Sequence, residues 1–164
     1  MHSFTSNLVY RSPLGDILIT ANDKYITQVR FLDQNEPIPD QHTSFLTLAC
    51  ARELQGYFEG NCKHFQSPVI QEGTDFQQAV WAALSKIQFG KTESYLGLSK
   101  KIGNSKAIRA VGAANGKNNI AIIVPCHRVI GSDGSLVGYA GGMWRKKWLL
   151  EHEAKHAGGI LTLF

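Results

Sequence analysis

"SYLGLSKKIGNSKAIRAVGAANG", residues 94–116, carries the architecture of the second half of the chain. Ser94 has the short hydroxyl that accepts from the free N–H groups of a helix start, and Gly103 suits the stop. Asn104 or Ser105 is then placed to cap a second helix, with Ala107, Val111 and Ala114 on one face and Gly116 at its end. Two short helices joined by a tight glycine-containing turn have the form of a helix-turn-helix. Ala107, Ala110, Gly112, Ala113 and Ala114 keep the second helix smooth, and Arg109 is the only long charged side chain between Ala107 and Gly116. Small side chains let a backbone approach a partner closely. That suits a nucleic-acid groove, and it also suits an Ala-rich helix packed into a core.

Downstream, "NGKNN" reads as a turn and "IAIIV", residues 120–124, as a buried strand too apolar to alternate. Pro125 biases Val124 toward extended backbone, so Cys126 is expected to emerge where the strand ends, followed by His127 and Arg128. A thiolate is a strong nucleophile, and positive neighbours lower a thiol's pKa. Adjacent side chains on an extended segment point to opposite faces, so adjacency alone does not make a Cys–His pair. A third group that orients the imidazole is expected, and Glu153 is a candidate. Metal binding is the rival use, but neither Cys-x-x-Cys nor a His-x-x-x-His cluster occurs around Cys126. His152, Glu153 and His156 have the H-E-x-x-H spacing, but a metal needs three or four convergent ligands and the sequence offers no such set, so no metal is expected. "GSDGSLVGYAGG", residues 131–142, is a glycine-rich loop with neither a P-loop nor a Rossmann spacing. "MWRKKWLLEHEA", residues 143–154, reads as a last helix with Trp144, Trp148 and Leu149 on one face and Glu153 near its end.

Upstream, "NLVYRS", "DILITAN" and "YITQVRFL" read as a strand meander, with "SPLGD" and "NDK" as turns. "NEPIPDQHT" is a loop. "SFLTLACARELQGYFEG" suits a helix with Phe45, Leu48, Ala49 and Leu54 as its apolar positions. After a linker, Thr74 and Gln77 have capping-box spacing. Phe76, Val80, Ala83, Leu84 and Ile87 form one face of the helix that follows, which should end near Gly90. The charge changes sign at that boundary. Met1 to Asp75 holds five Lys/Arg against nine Asp/Glu, a balance of −4, and Phe76 to Phe164 holds twelve against four, +8. This implies an anionic partner for the second half. The chain therefore divides into 1–73, an N-terminal α/β domain, and 74–164, a DNA-binding domain. The fold class is α+β: a small antiparallel sheet plus helix, then a mainly helical domain containing the helix-turn-helix.

The 164 residues, 43% of them hydrophobic, suffice for a buried core. No apolar run approaches the ~20 residues that span a bilayer, so no membrane partner is expected. The N-terminus lacks the pattern of a secretory signal. Three scattered cysteines (Cys50, Cys62, Cys126) then suggest reduced thiols in the cytoplasm, with Cys50 a small core residue.

"PCHRVIG", preceded by "SYLGLSKKIGNSKAIRAVGAANGKNN" and followed by "GYAGG" and "WLLEHE", resembles the DNA O6-alkylguanine alkyltransferases, the methylated-DNA–protein-cysteine methyltransferases. The resemblance covers residues 74–153 with the motifs in order. It implies DNA repair in a single turnover: Cys126 takes the alkyl group from guanine O6 in duplex DNA, after base flipping, and keeps it as a thioether. Glu153 would hold His127, which would deprotonate Cys126 through a water. Asn118 would tie the recognition segment to the active site, and Tyr95 would donate a proton toward guanine N3. Arg109 would fill the hole left by the flipped nucleotide. Ser94, Tyr95, Ala107, Arg109, Ala110 and Arg128 would form the DNA-facing surface.

The base pocket would comprise Val129, Tyr139, Ala140 and Gly141. In it the carbonyls of Cys126 and Val129 would read the exocyclic amine, and the Ala140 N–H would face O6. The resemblance also implies a monomer that needs no cofactor, with O4-alkylthymine as a further candidate substrate. Ile108 departs from the small residues frequent there in the family, and Ala140 stands where some members have serine. A helix-turn-helix DNA-binding protein without alkyl transfer is the alternative from another class; it would leave "PCHR" unexplained.

Overall fold

The computed structural model describes residues 4–158, and in its first unit a two-residue connection, Pro13–Leu14, joins the first two strands. The extreme ends of the 1–73 and 74–164 ranges, and the first residues read for a signal, lie outside the described residues. Strands β1 (Ser6–Ser12), β2 (Gly15–Ala21) and β3 (Ile26–Phe31) form an antiparallel sheet in that order. The first hairpin closes with Ser12 opposite Gly15. Gly15 has φ +108, backbone that an L side chain resists, and the Leu14 N–H donates to Ser12 Oγ at 3.0 Å.

Helix α1 (Phe45–Phe58) packs on β1 and β2. Its N-terminus is held by a capping box, in which Ser44 Oγ accepts from the Thr47 N–H and Thr47 Oγ1 from the Ser44 N–H. The buried face is Thr47, Cys50, Leu54 and Tyr57. The apolar positions expected from the sequence are only partly those, because Phe45 is 84% exposed and Leu48 is also exposed. Burying Leu54, Ile17 and Ile19 between helix and sheet contributes about 1.5–3 kcal/mol for each side chain.

The chain forms two compact units, the first running to Gln71 and including Asn119–Ala121, the second made of Glu72–Asn118 and Ile122 onward. The segment 119–121 joins the first unit because Val29 donates to the Asn119 carbonyl and accepts from the Ala121 N–H, both at 2.9 Å. The "IAIIV" stretch is therefore not a strand. Ile120 makes a single bridge to Val29, and the chain then turns, with Ile122 at φ +70. Ile120, Ile122 and Val124 are buried as expected. A short apolar run reports burial, not conformation, so the pattern misled.

In the second unit α2 (Asp75–Leu84) begins with the expected Thr74–Gln77 capping box. β4 (Glu93–Ser94) leads into α3 (Tyr95–Lys101), and α4 (Ile108–Gly116) completes the helix-turn-helix. Ser94 Oγ accepts from the Gly97 N–H at 2.9 Å, and Gly103 has φ +86 at the turn. α4 starts later than expected, with Ala107 instead of Asn104 or Ser105 at the cap position, because the Asn104 Oδ1 accepts from the Lys106 N–H in the turn itself. Cys126–Arg128 form one 3-10 turn, β5 (Val129–Ile130) pairs in parallel with β4, and α5 (Met143–His156) closes the unit. On α5 the buried residues are Lys146, Leu149, Leu150, His152 and Glu153, whereas Trp144 is 58% exposed. Among the described residues no helix is long and apolar enough to cross a membrane.

Candidate active site

The 3-10 turn after Pro125 does what a strand end was expected to do. Its tight geometry brings consecutive residues into different surroundings, all buried. Cys126 faces a cavity of about 270 Å³, also lined by Tyr95, Gly112, Asn115, Asn118, Tyr139 and Ala140. His127 turns to α5, where its Nε2 lies 2.6 Å from Glu153 Oε2. Arg128 reaches the same carboxylate, with Nε 2.7 Å from Oε1 and Nη2 3.1 Å from Oε2. Its Nη1 donates to the Ile87 carbonyl at 2.6 Å. The Gly90 N–H adds a further donor to Glu153 Oε1 at 3.2 Å. Gly90 has φ +78, and a Cβ there would lie 2.5 Å from Ala157 Cβ, so only glycine brings this N–H into place.

The charges follow from these contacts. Burial alone would raise the Glu153 pKa, but His127 and Arg128 together outweigh it and hold the carboxyl far below the usual range. Burial lowers the His127 pKa more than Glu153 raises it, so the imidazole is neutral at pH 7. An anionic Glu153 only accepts, so the His127 proton sits on Nε2. Nδ1 is then an unprotonated nitrogen, buried and without a protein hydrogen-bond partner among the described residues. Burial pushes the Cys126 thiol up, while a hydrogen bond from Asn118 and the charge of Lys146 pull it back in part. A thiol that keeps its proton beside a neutral imidazole suits general-base activation rather than a resting ion pair.

Asn118 Nδ2 donates at 2.8 Å to the Val124 carbonyl, which also receives the Cys126 N–H at 2.8 Å. Lys146 is wholly buried, and its Nζ donates to the carbonyls of Val129 (2.6 Å), Val137 (2.8 Å) and Gly138 (3.3 Å). It thereby fastens the glycine-rich loop to β5, while burial brings its ammonium down to about 8. The Tyr95 hydroxyl donates to the Val137 carbonyl at 3.1 Å.

A family profile described as "6-O-methylguanine DNA methyltransferase, DNA binding domain" matches residues 75–155. A second, the "ribonuclease-like domain" of the same methyltransferases, matches residues 8–70. The methylated-DNA–protein-cysteine methyltransferase of Methanosarcina acetivorans is 45% identical over 150 residues, covering 88% of this chain and 96% of the relative. The chain belongs to this family. Its Mycobacterium tuberculosis relative is 45% identical over 156 residues, 93% of this chain and 94% of that one. The crystal structure of the M. tuberculosis O6-methylguanine methyltransferase superposes with a TM-score of 0.84 at 40% identity, covering 93% of this chain and 94% of that one. The M. tuberculosis OGT in complex with DNA gives 0.83 at 42%, covering 90% and 92%.

The structure brings Cys126, Asn118, Tyr95, Tyr139 and Ala140 around one cavity, and His127 with Glu153 behind it. Arg109 and Ala110 are exposed on α4, with Ala107 half-buried at its start. Ser94 is half-buried, its hydroxyl occupied as a helix cap. Arg128 corrects the expectation of a DNA-facing side chain. It is 6% exposed, and its guanidinium is turned inward to Glu153 and Ile87 instead of outward to solvent. Val129 and Gly141 stand outside the cavity wall, their carbonyls taken by Lys146 and, at 2.8 Å, by Arg145. Lys146 and Asn115 escaped the sequence reading. Lys146 lies three and seven residues before Leu149 and Glu153, on the buried face of the helix, and Asn115 lies four after Val111. In both, a polar residue in an apolar register was the available signal.

Proposed function

We propose that this protein repairs DNA by moving an alkyl group from guanine O6 in duplex DNA to Cys126 Sγ, once per molecule. One observation carries the reading: a buried thiol at a cavity, backed by a neutral imidazole whose Nδ1 has no hydrogen-bond partner among the described residues and whose Nε2–H is held by an anionic carboxylate. The Cys126 proton passes through a water to His127 Nδ1. The S–C bond forms as the O6–C bond breaks, and the electron pair returns to the purine, which takes a proton at N3 from Tyr95. The product thioether has no route back to a thiol, so the protein is consumed.

Guanine O6 is out of reach inside a duplex, so the nucleotide must be extruded, at a cost of a few kcal/mol. The exposed small-residue face of α4 supports close approach to the DNA backbone, and Arg109 on that face fills the gap in the stack. The +8 balance of residues 76–164 supplies attraction to phosphates. The protein is proposed to act as a cytoplasmic monomer, with the domains 1–73 and 74–164 as its functional division. O4-alkylthymine, whose alkyl oxygen presents similar chemistry, is a second proposed substrate. To test this, the protein is incubated with an oligonucleotide duplex carrying radiolabelled methyl on guanine O6. Label is expected on the Cys126 peptide, at one equivalent. Label remaining on DNA would sink the reading in favour of a plain DNA-binding protein.

A further inference from the structure

We propose that Asn115 is a positioning residue for the alkyl-transfer step: its amide braces the Cys126 carbonyl and the Tyr95 phenol together and stabilises the charge that forms on the Tyr95 oxygen. This rests on the function proposed above. Asn115 is 6% exposed on α4 and lines the cavity with Tyr95 and Cys126. Its Nδ2 donates to the Cys126 carbonyl at 3.4 Å, which sets the amide's orientation because a carbonyl only accepts.

Gly112, one turn earlier on the same helix, lies along the Tyr95 ring; a Cβ there would stand 3.9 Å from Tyr95 Cε1. The ring thus lies beside α4, on the cavity that Gly112 and Asn115 also line. The Tyr95 proton points to the Val137 carbonyl, which leaves the phenol oxygen's lone pairs open to the second N–H of the amide. The acidity of the phenol reflects this. Burial raises its pKa, an ionised Cys126 would raise it further, and the hydrogen bond from Asn115 is what lowers it. The Lys146 Nζ stands 5.9 Å from the ring centroid. An apolar residue would fill this buried position without the desolvation that an amide incurs.

The chemistry explains the amide. When Tyr95 gives its proton to N3, the phenolate that remains is negative, and the Asn115 N–H then bonds an anion. A charge-assisted hydrogen bond is stronger than a neutral one, so the amide contributes more in the transition state than before it.

The test has two arms, in wild type, Asn115→Leu and Asn115→Asp, each checked for folding by circular dichroism. In the first, tyrosines are carbon-13 labelled at the hydroxyl-bearing carbon and titrated by NMR, with Tyr95→Phe assigning the signal. Asn115→Leu should raise the Tyr95 pKa by about half to one unit, the worth of one hydrogen bond, and Asn115→Asp by more. In the second, single-turnover transfer is measured. Asn115→Leu should slow it about tenfold in the wild-type background and hardly at all in Tyr95→Phe, because coupled residues are not additive. An unmoved Tyr95 pKa, or equal slowing in both backgrounds, overturns the proposal. Should Asn115→Leu fail to fold, the near-isosteric Asn115→Asp decides both arms. A wild type that transfers nothing would sink the underlying function instead, while the NMR arm still decides whether the amide holds the phenol.

Discussion

Two thiols are buried in this chain, one in each compact unit, and their surroundings differ. Cys50 sits on the α1 face against the sheet, where burial first and Glu53 second push its pKa up to about 12. Among the described residues, the buried polar groups of the first unit are neutral, Ser6 and Thr47, hydroxyls that hold a helix start. Cys126 is buried as well, but the second unit buries His127, Arg128, Lys146 and Glu153 with it. Burial by itself makes a thiol inert. A buried ion cluster stabilises a fold weakly, because desolvation cancels much of its attraction. The second unit therefore carries a cluster that its packing did not require, and the groups in it converge on the turn that holds Cys126.

The largest expected effect breaks the comparison at its centre. Cys126→Ser should reduce alkyl transfer to the level of a control without protein while still binding duplex DNA, because phosphate contacts do not use the thiol. Residual transfer onto Cys50 or Cys62, found by peptide mapping, would mean the two thiols are less different than their surroundings imply. Next in size is Arg128→Met. It leaves Glu153 buried with one cation fewer, and chemical denaturation should show a loss of about 3–5 kcal/mol. Adding Glu153→Gln to Arg128→Met should restore part of that stability but not the transfer rate.

The readable and unreadable parts of the sequence divide along the same line. Caps and turns were legible because each depends on a local exchange: Thr74 with Gln77, Ser94 with Gly97, Gly103 at its turn. Cys126, His127 and Glu153 were legible through the family's motifs. What failed was long-range. "IAIIV" carries a strand's composition, yet Ile120 pairs with β3 and the chain then turns at Ile122, which no local pattern encodes. Arg128 was expected on the DNA-facing surface because its partners, Ile87 and Glu153, lie 41 and 25 residues away. A basic side chain reads as exposed until the carboxylate that buries it is located.

Arg109→Ala sharpens the contrast between groups that serve the thiol and groups that serve the DNA. It should slow transfer from duplex DNA about ten- to a hundredfold, a share of the few kcal/mol of flipping, and leave free O6-benzylguanine nearly unaffected. Equal slowing of both would make Arg109 a support of the pocket. A smaller effect concerns pH. Burial lowers the His127 pKa, so the base stays competent below the ordinary value, and the acid limb of the single-turnover rate should have its midpoint below pH ~6.5. The sign for stability is the same. Below that pH the unfolded chain binds the proton that folded His127 refuses, so unfolding free energy falls as pH drops from ~6.5 toward the folded pKa. A midpoint above 6.5 would mean that Glu153 outweighs burial.

The smallest effect belongs to the other thiol. Burial and the nearby Glu53 hold the Cys50 thiol at a pKa of about 12, so it is protonated at any physiological pH. A protonated thiol is a poor nucleophile, and burial leaves no path for a DNA base to reach it. Its contribution is packing on α1, so Cys50→Ala removes one sulfur from a closed core and should cost about 1 kcal/mol in denaturation. The rate and the stoichiometry of transfer should not change. A variant that transfers more slowly at unchanged stability would show that the first unit feeds the chemistry of the second, and the division between an inert and an activated thiol would have to be redrawn.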